Sequence, residues 1–256
     1  MPYAEVNDIR MYYEEQGSGI PFVLMHGAAS AIDDPVFSWR DLMPRFAETY
    51  RAIHLEHRGH GRTDNPAGVI TYDLIATDVC AFIERLGLAP AHIGGVSDGG
   101  IVALQIGMTR PDLARTLVTV GPNYYNDDLV AEANQFADVA RLERKVPELI
   151  EVFAARHDRN KQPGAWRELF RQLAENLAVN PAYTEHDLQR ITTPTFLIAG
   201  EDDSWGNLDQ MVGLKRNITG AELLIVNHAP HEIQHTHPWL VGPQVLDFLA
   251  RNPGPE

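Results

Sequence analysis

Gly95-Val96-Ser97-Asp98-Gly99-Gly100 stands between an apolar run, Ala91 to Val96, and an apolar-periodic run, Ile101 to Met108. Strand, tight turn and helix in that order form the setting in which a G-x-S-x-G pattern acts as a nucleophile elbow. Ser97 is then expected at the apex of the turn, in a sparsely populated backbone region enforced by the packing around it. Gly95 and Gly99 carry no Cβ, so strand and helix can pass close to one another, and the serine hydroxyl is held clear of the sheet at the positive end of a helix. With 20 glycines and five serines in the chain, a chance match to the pattern is expected roughly 0.03 times before any flanking strand or helix is required. The context therefore predicts Ser97 as a nucleophile.

At 256 residues, 44% of them hydrophobic, the chain can bury a substantial core, and its length fits one large α/β domain or two small ones. No segment reaches the ~18 uninterrupted apolar residues of a membrane-spanning helix. Met1 to Arg10 lacks the basic patch and apolar stretch of a secretory signal. The one cysteine, Cys80, excludes internal disulfides and fits a reducing, cytoplasmic compartment; in an apolar-periodic helical run it reads as a structural residue. A net charge of −14 argues against nucleic acid and anionic membrane surfaces as partners. Nothing in the composition bears on oligomeric state.

Outward from the elbow, apolar runs alternate with helical periodicity. Tyr3 to Val6 and Ile9 to Glu14 read as strands around an Asn7-Asp8 turn. Pro21 to Met25 is a continuous apolar run suited to a central strand, and it ends at His26-Gly27-Ala28-Ala29-Ser30. A helix is expected through Trp39, Leu42, Met43 and Phe46, then a strand, Ala52 to Leu55, running into Glu56-His57-Arg58-Gly59-His60-Gly61-Arg62-Thr63. Thr71 caps a helix that stops near Gly87. After the elbow and a strand at Thr116 to Val120, the stretch from about 122 to 187 shows helical periodicity and no clear strand. Alternation resumes with strands at Thr195 to Gly200 and Leu223 to Val226 and a last helix from Pro238. The pattern implies one α/β domain over residues 1–256, a mostly parallel central sheet with helices on both faces, and a helical cap inserted at about 122–187.

These pieces together resemble the α/β-hydrolase superfamily: the HGAAS turn, the HRGHGRT loop, GVSDGG, IAGEDD and the late HAPHEIQHTHP segment. The Ser-Asp-Gly-Gly form of the elbow is similar to the branch containing biphenyl-hydrolase-like and valacyclovir-hydrolase-like serine esterases. Glu56 stands where that family usually has aspartate, and Thr63 where serine is commoner. The cap matches no recognisable pattern. The resemblance implies an acid and a histidine following the serine in that order. Glu201, Asp202 and Asp203 all qualify chemically, and the family spacing, three residues after the strand-ending glycine, selects Asp203, with Asp202 as the rival. Of the late histidines His228, His231, His235 and His237, the family's placement some seven residues before a helix-opening proline selects His231, with His228 as the rival.

The remaining expectations follow from that triad. An oxyanion would be met by the backbone N–H groups of Asp98 and Ala28. The Asp98 side chain either completes the first turn of a helix, where the macrodipole favours a carboxylate, or flanks the acyl pocket and favours cationic substrates. Trp205 and Tyr124 are candidates to line the substrate pocket, as are Tyr125 and Trp166, although core packing alone accounts for aromatics at that frequency. His26 is expected to hold its turn. His231-Glu232-Ile233-Gln234-His235 also matches H-E-x-x-H, but two flanking prolines leave less than two turns of helix for a zinc site. The expected activity is cofactor-free, metal-free hydrolysis of a carboxylic ester or related acyl bond of a small molecule through an acyl-enzyme. Perhydrolysis or C–C bond hydrolysis with the same triad, and a non-catalytic receptor on this scaffold, are the alternatives.

Overall fold

The computed structural model describes residues 3–206 and 208–254. Eight strands form one sheet: β1 (Tyr3–Val6), β2 (Ile9–Gln16), β3 (Pro21–Met25), β4 (Arg51–Leu55), β5 (Ala91–Val96), β6 (Ala114–Val120), β7 (Thr195–Gly200) and β8 (Glu222–Val226). Their order is β1-β2-β4-β3-β5-β6-β7-β8. β1 and β2 form an antiparallel hairpin, β2 joins β4 antiparallel, and every later pairing is parallel. The parallel strands are near-continuous apolar runs because both sheet faces are covered.

Side-chain alternation divides the core in two. Phe22, Leu24, Val118, Val120, Phe196 and Ile198 face a layer that includes Phe46 of α1 (Met43–Phe46) and Val241, Val245 and Phe248 of α11 (Pro238–Arg251). Val23, Met25, Ile93, Leu117 and Leu197 face the opposite layer, which includes α2 (Tyr72–Arg85), α3 (Asp98–Thr109) and α9 (Leu208–Asn217). Thr71 caps α2 by accepting from the Leu74 N–H. The expected helix through Trp39 is only one turn long. Pro44 cannot accept a place in a helix interior, so α1 begins at Met43 with the proline in its first turn. Trp39 and Leu42 are buried from turns instead.

Between β6 and β7 the described residues form no named strand. They comprise α4 (Asp128–Ala133), a short 3-10 turn at Asn134–Ala137, α5 (Val139–Lys145), α6 (Glu148–His157), α7 (Ala165–Leu177) and α8 (Glu185–Leu188). The apolar stripe of α7, Trp166, Leu169, Phe170, Leu173 and Leu177, is buried as its i, i+3, i+4 spacing requires. Phe153 of α6 packs on Phe170, ring centroids 4.7 Å apart.

Strand order reverses between β3 and β5, and ligands in open α/β sheets bind outside the carboxyl ends of the strands at such a point. Register does the positioning. Met25 lies opposite Gly95, so the turns leaving β3 and β5 emerge side by side, and Val96 lies opposite Val120.

Candidate active site

Ser97 leaves β5 with φ +52° and ψ −117°, a conformation costing about 1–3 kcal/mol that only surrounding structure can enforce. Its N–H donates to the Val120 carbonyl at 2.7 Å, and its carbonyl accepts from Ile101 in the first turn of α3. The close approach expected of the two glycines is present. A Cβ on Gly95 would meet the Gly99 carbonyl at 2.0 Å, and one on Gly99 would meet the His26 carbonyl at 2.7 Å.

Asp203 and His231 come from loops after β7 and β8. Glu201 N–H donates to the Val226 carbonyl and Asp202 N–H to the Ala229 carbonyl, which ties the two loops together. His231 Nδ1 then lies 2.9 and 2.8 Å from the two Asp203 carboxylate oxygens. The Trp205 and Gly206 N–H groups donate to Asp203 Oδ1 and fix the carboxylate. A carboxylate accepting from Nδ1–H leaves Nε2 as the basic nitrogen of that ring. The rivals lie elsewhere. His228 is exposed, with Nδ1 3.8 Å from both Glu201 and Asp202, and His235 meets Asp41. His231 precedes the one-turn helix α10 (Ile233–Thr236), so it and His235 turn to different partners and present no common face to a metal.

Ser97, Asp98, Ala28, Gly121, Trp205 and His231 all line one cavity of about 980 Å³, shared with residues of the helices between β6 and β7. Phe136, Leu142, Leu149, Val152 and Phe153 form much of its other wall. Trp205 stands with its ring centroid 6.0 Å from His231 and 5.1 Å from Phe136. Tyr124 corrects the expectation made of it. It is absent from the cavity wall, its ring set edge-on to Tyr125 and packed against Gly213 on α9. Trp166 is likewise buried between α6 and α7, against Phe153 and Phe170.

Asp98 is 6% exposed, and its Oδ1 accepts from the Tyr72 hydroxyl at 3.0 Å. Burial pushes its carboxyl up to about 6, opposed by the Tyr72 hydrogen bond and by the nearby His231. His26 holds its turn as expected. Nε2 accepts from the His57 N–H at 3.1 Å, so Nδ1 carries the proton and donates to the Gly27 carbonyl at 2.7 Å. Burial lowers this ring to about 4.

Several residues at the site escaped the sequence reading. Gly121 follows β6 with φ +59°, and a Cβ there would stand 2.8 Å from His231 Cε1 and 3.2 Å from Asp203 Oδ2. A glycine directly after a buried strand beside the elbow was the available signal. Phe37 covers the cavity near His231 and Trp205. Arg156, on α6, lines the cavity and pairs with Asp34 at 2.8 Å.

The family model described as "Alpha/beta hydrolase family" matches residues 22–240, most of the chain. The chain belongs to the α/β-hydrolase family. RutD from Stutzerimonas stutzeri, provisionally named a carbamate hydrolase, is 26% identical over 95% of this chain and 98% of that one. The 2-hydroxymuconate semialdehyde hydrolase of Pseudomonas sp. strain CF600 is 25% identical over 94% and 91%. Among solved structures, Est816, titled an N-acyl homoserine lactone degrading enzyme, superposes with a TM-score of 0.75 at 26% identity, covering 96% of this chain and 100% of that one. This α/β-hydrolase is thus an enzyme of a hydrolytic family whose members differ in the bond they cleave.

Proposed function

We propose that this α/β-hydrolase cleaves a carboxylic ester, or a related acyl bond such as that of a lactone, through a covalent acyl-enzyme. The observation that carries the reading is the His231–Asp203 pair opening, with strained Ser97, onto one largely apolar cavity. Ser97 Oγ attacks the carbonyl carbon while His231 Nε2 takes its proton. Asp203 holds the imidazole tautomer and stabilises the imidazolium that forms. The Ala28 and Asp98 N–H groups receive the oxyanion. Collapse expels the alcohol, protonated by His231, and water then repeats the sequence on the acyl-enzyme to release the acid. Trp205 and the cap wall hold the apolar part of the substrate. No cofactor takes part in any of these steps. A second reading, hydrolysis of a C–C bond with the same triad, is favoured by the similarity to the semialdehyde hydrolase.

The test is a panel of p-nitrophenyl esters and simple lactones run beside labelling by a fluorophosphonate probe. Wild-type protein is expected to turn over at least one ester and to be labelled once. Ser97→Ala is expected to lose both while keeping its thermal transition, and undiminished turnover by that variant would refute the serine mechanism.

A further inference from the structure

His157 closes α6 and is completely buried, yet it touches none of the three residues just assigned to proton transfer and attack. Its ring reaches from the cap into two backbone segments of the sheet domain. Nδ1 accepts from the Gly61 N–H at 3.0 Å. The proton must then sit on Nε2, which lies 2.9 Å from the Ala29 carbonyl and donates to it. Burial holds this histidine well below its ordinary pKa, so the neutral ring that both bonds need persists at neutral pH.

The recipient of that second bond is a strained loop. Ala29 has φ +50°, an uncommon left-handed conformation for a residue with a Cβ. The loop's other end is fixed by His26, which donates to the Gly27 carbonyl. Ala28 lies between these two anchored carbonyls. Arg156 also approaches the Ala29 carbonyl, but at 3.4 Å and while paired with Asp34 at 2.8 Å. His157 is therefore the close side-chain donor on the far side of Ala28.

We infer that His157 is a positioning residue: through its Nε2–H bond to the Ala29 carbonyl, the cap sets the aim of the Ala28 N–H at the developing oxyanion. The inference rests on the proposed acyl-transfer role of Ala28. Because α6 also contributes Val152, Phe153 and Arg156 to the cavity wall, the cap segment that meets the substrate is the one that holds the oxyanion loop.

The ring's two nitrogens can be tested separately. Glutamine places an N–H donor near the former Nε2, so His157→Gln keeps the bond to Ala29. Asparagine places an oxygen near the former Nδ1, so His157→Asn keeps the Gly61 bond and leaves the Ala29 carbonyl without its close donor. Losing an oxyanion donor outright costs about 10²–10³ in kcat, and misaiming one costs less. With p-nitrophenyl acetate, His157→Asn and His157→Leu are expected to lower kcat by roughly 10- to 100-fold with KM within about threefold. His157→Gln is expected to restore kcat to within about threefold of wild type. Amide hydrogen exchange of the 26–31 segment gives a readout that needs no substrate: it should quicken in the Asn and Leu variants and not in Gln. Equal kcat losses for Gln and Asn, a loss confined to KM, or unchanged exchange in Asn would overturn the inference. If the wild type cleaved no acyl substrate at all, the functional reading would fail, while the exchange comparison would still decide whether His157 holds the loop.

Discussion

Replacing Asp98 by asparagine isolates what a buried carboxylate beside Ser97 does to this fold. Burial raises its carboxyl from 3.8 to about 6, with the Tyr72 hydroxyl and His231 only partly offsetting that cost. In the unfolded chain the group ionises first. Folding stability therefore falls as pH rises from about 4, and the loss is complete once pH has passed the folded value near 6. About two pK units at 1.36 kcal/mol each amount to about 3 kcal/mol at pH 8. Asparagine removes the charge and keeps an oxygen for the Tyr72 hydroxyl, but it still buries a polar amide, so a gain of about 1–2 kcal/mol is expected. For a chain of this size that is a rise in Tm of roughly 2–8 °C at pH 8, shrinking towards zero at pH 4. Thermal unfolding of both proteins at the two pH values measures it. An equal increment at both, or a lower Tm at pH 8, would refute the reasoning, the latter because it is what a carboxylate stabilised by the α3 dipole predicts.

The same carboxylate lines the cavity. At about 4 Å and an effective dielectric near 20, unit charges interact by roughly 4 kcal/mol, and an open pocket leaves about 1–2 of it. Wild-type enzyme is accordingly expected above pH 6 to prefer esters with a cationic acyl part over neutral isosteres by about tenfold in kcat/KM. The preference should vanish in Asp98→Asn, and an unchanged ratio would confine Asp98 to the helix start. Asp203→Asn is expected to depress kcat by about 10⁴, as loss of the orienting carboxylate does in serine triads, whereas Asp202→Asn, exposed beside His228, should change it less than twofold; the reverse order of losses would move the acid to Asp202. Gly121→Ala puts a methyl group 2.8 Å from the His231 ring at a positive φ. Its kcat should fall at least tenfold on p-nitrophenyl acetate, and a variant as active as wild type would show that the pair tolerates displacement.

Most of the sheet was legible because its strands are written as apolar runs ended by glycine or turn residues. β3, β5 and β7 all begin and end within a residue of where the runs do. The one-turn α1 was not, since its apolar spacing is helical while Pro44 forbids the helix to continue through it. In the site, the local motifs named residues but not their neighbours. That Asp203 reaches His231 depends on Gly200 lying opposite Val226 in the sheet, a register no short motif records. Tyr124 was misplaced for a related reason: an aromatic just past a strand end faces wherever the following loop turns it, and here that is α9. The cap misleads differently. Leu149 and Val152 remain 38% and 44% exposed and line the cavity, where the apolar spacing of an amphipathic helix would by itself send them to the core.

The eleven histidines of this chain offer many general-base candidates on paper, and their surroundings sort them. His26, His57, His60 and His157 form a buried cluster beside the HRGHGRT loop, with ring centroids 4.3–5.9 Å apart for neighbouring pairs. Desolvation lowers all four, and they repel one another's charge. Neutral rings of fixed tautomer can bridge backbone groups, as His26 and His157 do at the two ends of the Ala28 loop, but they cannot store a proton during turnover. His228 and His235 stand near carboxylates but away from the cavity. Among the described residues, His231 alone both meets a carboxylate and lines the cavity with Ser97. The carboxylate matters most when the ring is charged, because an imidazolium 2.8 Å from Asp203 is paired where an imidazolium in the neighbouring cluster would be stranded. Desolvation of those four rings, set against the carboxylate partner of His231, is what supports the proposed role of His231 as the base.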